Sequence, residues 1–393
     1  MSSPGTLRIG VADSLDPRNL QVGSGASASL LRALQDVVAD VVPLSGELPP
    51  RLGRLAHLSS VAARMRPGDW RDPRGAAKRV HSAAVLGRPT IATRNRLMHR
   101  RLAAAGHLDG VVQRCSDMLL PPSCRVVTLE DSTVLQALRA YPWPHLQALS
   151  ERELQRYADR QRRVYEAAVA CCGATHWVAE SIVEDYGIPA ERVFTVGLGQ
   201  NHETPEPSPR DWSKPRYLFV GKRWAHKNGP AVLTAFARVR ERHPNARLDV
   251  VGDHPRLDLP GVVGHGLLSL QDPADQELLG ALYRSATVFV MPSLHEAAGI
   301  VYVEAGGAGV PSIGTTNGGT ATMIGPGGVV VDPLDTDQLF AQMLRLADPD
   351  TARRLGELAY RHSTLFTWRK VAERLIRALA IPNLDTSGLA DYL

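Results

Sequence analysis

At 393 residues with a formal net charge of +5, the chain is longer than one hydrophobic core usually serves, so two domains are expected. An apolar fraction of 44% and a charged fraction of 22% exclude a disordered or fibrous chain, and no apolar run approaches the ~18 residues of a membrane helix. Four cysteines, Cys115, Cys124, Cys171 and Cys172, lack metal-ligand spacing and read as reduced thiols of a cytoplasmic protein.

The opening MSSPGTLRIGVADS has no signal-peptide layout, because its apolar residues form a first strand, LRIGVAD, at 7–13. SLDPRNLQV then leads to VGSGASASLLRAL (22–34), where Gly23, Ser24 and Gly25 open a helix in a G-x-G-x-x-A pattern. With Glu47 beyond the second strand, ADVVPL (39–44), this is a weak dinucleotide signal, since the glycines stand too far from the first strand. A glycine loop that lets a ligand approach is the other reading. Arg64, Arg66, Arg71, Arg74, Lys78, Arg79, Arg88, Arg94, Arg96, Arg100 and Arg101 form a basic stripe over 64–101. It suits an anionic acceptor, a lipid headgroup surface or a solvated face; with Trp70 its sole aromatic, nucleic-acid stacking is excluded.

Strands DGVVQRC (109–115), RVVTLED (125–131), THWVAES (175–181) and VFTVGLG (193–199) continue the first half. Glu130, Asp131 and Ser132 end the second of these at its carboxyl end, where an acid can orient or deprotonate a hydroxyl. Asp131 or Ser132 capping the next helix is the plainer alternative. A proline-rich link, NHETPEPSPRDWSKP (201–215), precedes a regular alternation of strands and helices: RYLFVG (216–221), a helix near 229–243, ARLDVVG (246–252) and GVVGHGLL (261–268). A helix opens at Asp272-Pro273, followed by TVFVMPS (287–293), a helix from about Gly299, PSIGT (311–315) and GVVVD (328–332). Apolar runs without alternation imply parallel strands covered on both faces. The expected fold is α/β, two doubly wound Rossmann-like domains facing across a cleft. The expected domains are 1–205 and 206–365, with a last helix from about 366 packing back on the first.

Ligands of such sheets gather at the carboxyl ends of strands. There the loop GKRWAHKNG (221–229) presents Lys222, Arg223 and Lys227, cations fit for a diphosphate or for a plain basic surface. HEAAGIVYVEAGGAGVPSIGT (295–315) places Glu296 and Glu304 in an apolar, glycine-rich stretch around a helix start at Gly299 and Ile300, whose free N–H groups suit phosphate. If the whole segment were helical, the two acids would stand ~12 Å apart, able to grip two ends of one extended ligand. Asp335-Thr336-Asp337 spells D-x-D but reads as a helix cap, so no metal is expected.

The E-x7-E after an M-P-S strand end, the G-K-x-x-x-x-K loop, AVLTAFARVRERHPNARLDVVG and the ending FTWRKVAERL resemble retaining GT-B glycosyltransferases of family 4. The likeness is specific over about 175–380; DSLDPRNLQVGSGASASLLRAL resembles the family's first loop more loosely. It implies a nucleoside-diphosphate sugar as donor substrate, no cofactor and no metal. Glu304 would bind the ribose hydroxyls and Glu296 the transferred sugar, with the amides of Ala298, Gly299 and Ile300 near the sugar and distal phosphate. Lys227 stands at the phosphate lysine, Lys222 where arginine is commoner, and Leu267 or Leu268 would lie against the base. Where many members carry a histidine near the reacting sugar, this chain offers Glu130-Asp131-Ser132, which makes Asp131 the first-domain catalytic candidate beside Glu296 and Lys227. The acceptor is a small molecule, a glycan or a lipid-linked group, and the place of action is the cytoplasm or the inner face of the membrane. A non-catalytic nucleotide-sugar binding module and a GT-B-fold epimerase or phosphorylase are the alternatives. An oxidoreductase reading rests on the G-x-G-x-x-A alone.

Overall fold

Two six-stranded sheets, each with all neighbouring strands parallel, organise the computed structural model. It describes residues 7–19, 25–62, 71, 87–140, 146, 149–200, 207–269 and 272–393. The chain divides into unit 1, Met1–Val196 with Trp368–Leu393, and unit 2, Gly197–Thr367. The division falls at Val196, ahead of the proline-rich link, because the chain that follows already belongs to unit 2: Gln200 N–H donates to Phe366 O.

Unit 1 runs β1 (Arg8–Asp13), α1 (Ala26–Val37), β2 (Asp40–Ser45), α2 (Pro50–Ala62), α3 (Arg88–Ala105), β3 (Gly110–Arg114) and β4 (Val126–Glu130). It continues through α4 (Val134–Ala140), α5 (Glu151–Ala167), β5 (Ala170–Gly173), α6 (His176–Glu184) and β6 (Val193–Thr195). The strand order is β2-β1-β3-β4-β5-β6. β3, β4 and β5 are buried at every position, polar Gln113, Arg114, Thr128 and Glu130 included, as strands between two helix layers should be. At α5, Ser150 and Glu153 close a reciprocal capping box, satisfying donors that the first helical turn leaves open.

Two sequence expectations need correction. The segment 175–181 is not a strand: Thr175 is extended and α6 follows, burying Val178, Ser181 and Ile182 at helical spacing. The strand at this place in the sheet is the preceding Ala-Cys-Cys-Gly, short, fully buried and without a β-branched residue, one strand in from the edge. Nor do Asp131 or Ser132 cap α4. Thr133 does, its Oγ1 accepting from Gln136 N–H at 3.1 Å while its own N–H donates to Gln136 Oε1 at 3.1 Å.

Unit 2 runs β7 (Arg216–Val220), α7 (Gly229–Arg242), β8 (Arg247–Val251), β9 (Val262–Gly266), α8 (Pro273–Ser285) and β10 (Val288–Val290). Then come α9 (Ile300–Gly307), β11 (Ser312–Thr315), α10 (Thr320–Ile324), β12 (Gly328–Val331), α11 (Thr336–Arg345) and α12 (Pro349–Ser363). Its order is β12-β11-β10-β7-β8-β9, so strands are added outward on one side from β7 and on the other from β10, and the strand order switches between these two parallel neighbours. Such a switch point splays the loops that follow its two strands and leaves a crevice at their carboxyl ends. Tyr217, Phe219, Phe236, Phe289 and Tyr302 are fully buried and fill the layers around this centre. The last helix, α13 (Trp368–Ala378), returns to unit 1 and packs on α1, burying Val371, Ala372, Leu375 and Ile376.

Candidate functional site

Lys227 and Glu296 stand on the two loops that leave β7 and β10, the neighbouring strands at the switch point of unit 2. Their side chains form an ion pair, Lys227 Nζ to Glu296 Oε2, with only 14% and 13% of each exposed. Ser293 Oγ donates to the same carboxylate oxygen at 3.3 Å. The loops are tied to each other by the backbone, Leu294 N–H donating to His226 O at 2.9 Å.

Glu296 is held from the other side too. Its N–H donates to Asn317 O and its O accepts from Gly319 N–H, both at 3.0 Å, within a parallel bridge to Gly318. The residue is therefore outside α9, and the all-helical span considered for the two acids does not apply. Gly299, left-handed at φ 84°, turns the chain into α9 directly after it. Ala298 is buried, while Gly299 and Ile300 are part-exposed at the helix head, where the first N–H groups lack intrahelical acceptors. One turn further in, Glu304 is 5% exposed and accepts from Tyr283 OH at 3.2 Å.

The other predicted contacts of unit 2 are in different states. Lys222 and Arg223 are exposed, Arg223 in left-handed backbone at φ 62°. Leu267 is exposed and Leu268 half-buried in the segment after β9. Burial, with help from Arg223 and Lys227, pushes His226 down to about 4, while Glu296 opposes this weakly. His295 is lowered in the same way, chiefly by burial. Both imidazoles are thus neutral near pH 7 and add no positive charge beside Lys227. Neither histidine, nor Ser293, nor the 317–319 loop was singled out from the sequence. His226 and His295 adjoin residues that were, but their convergence depends on β10 lying next to β7.

Asp335 and Asp337 behave as a helix start: Asp335 Oδ1 accepts from Gln338 N–H at 2.8 Å and Asp337 pairs with Arg238. Among the described residues no group of three His, Cys, Asp or Glu side chains is placed to hold a metal ion.

In unit 1, Gly23 and Ser24 lie outside the described residues, and Gly25 heads α1 in left-handed backbone. Glu47 lines a cavity of about 550 Å³ with Asp16, Arg18 and Arg101. Asp131 is half exposed and lies 3.9 Å from Arg114. Its neighbour Glu130 points inward, 4% exposed, and burial pushes its carboxyl well above the usual range. Of the basic stripe, Arg64, Arg66, Arg74, Lys78 and Arg79 lie outside the described residues. The rest is not one solvated face: Arg88, Arg96 and Arg100 are exposed, but Arg94 is buried and Arg101 donates to Ser45 O.

Residues 214–348 match the family model described as Glycosyl transferases group 1. Among curated proteins, a D-inositol 3-phosphate glycosyltransferase of Thermobispora bispora is 30% identical over 260 residues, covering 60% of this chain and 58% of that protein. The protein of the same name from Thermobifida fusca is 30% identical over 227 residues, 51% of this chain and 52% of its own. The chain thus spans a little over half the length of the curated relatives it matches. Among solved structures, the sucrose-phosphate synthase of Thermosynechococcus elongatus superposes with a TM-score of 0.62 at 18% identity, covering 94% of this chain and 98% of that one. WaaG, a glycosyltransferase involved in lipopolysaccharide biosynthesis, does so with a TM-score of 0.57 at 16% identity, covering 96% and 100%.

Proposed function

We propose that this chain, a GT-B fold carrying a glycosyl transferases group 1 domain at 214–348, is a retaining glycosyltransferase that needs no metal. It would move a sugar from a nucleoside-diphosphate sugar to an acceptor hydroxyl. One observation carries the reading: a carboxylate whose backbone is fixed to the 317–319 loop, Glu296, is paired with Lys227 beside the N–H groups at the head of α9, with Glu304 one turn beyond.

In this proposal the donor's diphosphate takes Lys227 and the amides near Ala298, Gly299 and Ile300, while exposed Lys222 and Arg223 add charge. Lys227 exchanges its carboxylate partner for phosphate, which frees Glu296 to accept from the sugar's hydroxyls. Glu304 accepts from the ribose hydroxyls, and Leu267 or Leu268 covers the base. As the bond from the anomeric carbon to the distal phosphate breaks, its electron pair stays on the phosphate. Cation and amides already in place stabilise that charge as it develops. The acceptor oxygen bonds to the anomeric carbon from the same face and its proton passes to the departing phosphate. Asp131, exposed at a strand's carboxyl end, is our proposed contact for an acceptor hydroxyl.

Metal independence draws support from the engagement of Asp335 and Asp337 in capping and pairing. We place the action in the cytoplasm, with peripheral contact to an anionic membrane through Arg88, Arg96 and Arg100 as part of the same proposal. Among the described residues no helix is long and apolar enough to cross a membrane.

A panel of nucleotide sugars against phosphorylated and plain polyol acceptors, run in excess EDTA, tests the reading. The expected product keeps the donor's anomeric configuration by proton NMR. Glu296→Gln should lower turnover more than nucleoside-diphosphate affinity, and Lys227→Ala should weaken that affinity by about 1.5–3 kcal/mol, the worth of a charge-assisted contact. An inverted product, or activity restored only by added magnesium or manganese, would refute the mechanism.

A further inference from the structure

Lys227 and Glu296 form their ion pair from backbones that have little room to part. The stem of Lys227 lies against the chain just past β7, where a Cβ added at Gly221 would meet its Cγ at 2.9 Å, and its N–H donates to Arg223 O at 3.0 Å. Glu296 is pinned by the bridge to Gly318, at φ 121°, where an added Cβ would collide with Glu296 O. Asn317 Nδ2 donates to Leu294 O at 3.1 Å and ties the same two loops again. Movement is thus left to the two side-chain ends.

The contacts on the carboxylate are one-sided. Lys227 Nζ and Ser293 Oγ both donate to Oε2 of Glu296. Among the described residues no donor reaches Oε1, and no second cation pairs with the carboxylate. His226 and His295 are neutral near pH 7, so neither replaces Lys227 as a counter-charge. An anion that draws Lys227 away therefore leaves a part-buried carboxylate with one hydroxyl donor and a second negative charge beside it. Removing one partner of such a pair is strongly unfavourable, because the remaining charge has lost both water and counter-charge. A ligand that brings hydroxyl donors of its own to Oε1 offsets the loss, and a bare anion does not.

We propose that this pair selects between ligands: it masks Lys227 from a bare nucleoside diphosphate and yields it to the same diphosphate carrying a sugar. The inference rests on the transfer reading, which sets the sugar beside Glu296, and adds a regulation of that site. Sugar and diphosphate then bind with positive coupling, each favouring the contact of the other. Once the sugar has left, Lys227 returns to Glu296 and the nucleoside diphosphate is displaced. The pair thus clears the product as well as screening the donor.

The test is calorimetric titration of the full chain, without acceptor, using uridine, thymidine, guanosine and adenosine diphosphates, each bare and with glucose attached. Glu296→Gln should tighten binding of the bare diphosphate about tenfold or more, as expected on removing a charge-assisted competitor for Lys227. The same variant should tighten the sugar nucleotide less, or weaken it. In a double-mutant cycle the gain should vanish: with Lys227→Met in place, Glu296→Gln should change bare-diphosphate affinity by less than about threefold. Should Glu296→Gln fail to fold, Glu296→Ala takes its place in the cycle. A gain that persists without Lys227 would be long-range charge alone and overturns the proposal. Diphosphate binding that Lys227→Met weakens but the Glu296 variant does not strengthen overturns this proposal and leaves the transfer reading standing. No binding of any probe to parent or variants overturns the transfer reading and this inference with it.

Discussion

An ionisable side chain takes its charge from its neighbours, and His226 records this most directly. An ordinary histidine titrates near 6.5; burial beside Arg223 and Lys227 pushes His226 down to about 4. Above about pH 6.5 the ring is neutral in both folded and unfolded chains and the pH has no leverage. As pH falls from there towards 4, the unfolded chain binds the proton and the folded one does not, so stability falls through that window. His226→Gln should therefore lose less of its urea midpoint between about pH 7 and about pH 5 than the parent does. An identical drop in both would show that the ring is not held neutral. His295 pulls in the same direction through its own burial and remains in both proteins. The acids at this site were legible in the sequence because a carboxylate is improbable in an apolar, glycine-rich run. The histidines were not, because no residue type near them betrays the loops that enclose them. The same limit applies to Arg94, which reads as one member of a basic stripe until α3 turns it inward.

Elements place these residues through a few backbone constraints, of which the start of α9 is the sharpest. Gly299 stands at φ 84°, where a side chain is strained whatever the space, and an added Cβ would meet the Tyr302 ring at 2.5 Å and Glu296 Cγ at 3.1 Å. Gly299→Ala should cost about 1–3 kcal/mol of stability through this strain. It should also weaken nucleotide binding more than Glu296→Gln does, since both the helix head and the acid shift. Thermal unfolding and calorimetry with a nucleoside diphosphate measure the two effects. Unchanged affinity would mean that the head of α9 does not hold the phosphates. Helix starts of this kind were readable in advance where capping chemistry is explicit, as at Asp272-Pro273, whose aspartate accepts from Ala274 N–H at 2.9 Å. They were misread where propensity and packing disagree. Trp177 and Val178 favour strand, but Val178, Ile182 and Tyr186 recur at a spacing of four and are buried on one face. The short strand Ala170–Gly173 is invisible to periodicity, because four small residues carry no pattern.

At the scale of the whole chain, unit 1 is built from both ends of the sequence, and Arg374 is where those ends are joined. The side chain is 2% exposed; its Nη1 donates to Val196 O at 2.9 Å and its Nε to Asp391 O at 2.6 Å. Val196 is the last residue of the first segment, and Asp391 lies in the tail that α13 brings back. Next to them Leu393 N–H donates to Thr195 O at 3.1 Å, and Tyr392 stacks on Phe194 with ring centroids 4.3 Å apart. Arg374 therefore ties β6 to the tail through two buried carbonyls, and its charge is tolerated because both forks find acceptors. Arg374→Met keeps most of the packing volume but leaves those carbonyls unpaired, at a cost of about 2–4 kcal/mol. Because Arg374, Val196 and Asp391 all belong to unit 1, the loss should fall on that unit. In calorimetry of the full chain, the unit 1 transition should drop by about 2–4 °C for each kcal/mol lost, as for a domain of this size. The transition that responds to Gly299→Ala, which marks unit 2, should stay in place. Equal movement of both transitions would show that the units unfold as one cooperative body. No movement of either would show that the tail adds nothing to unit 1.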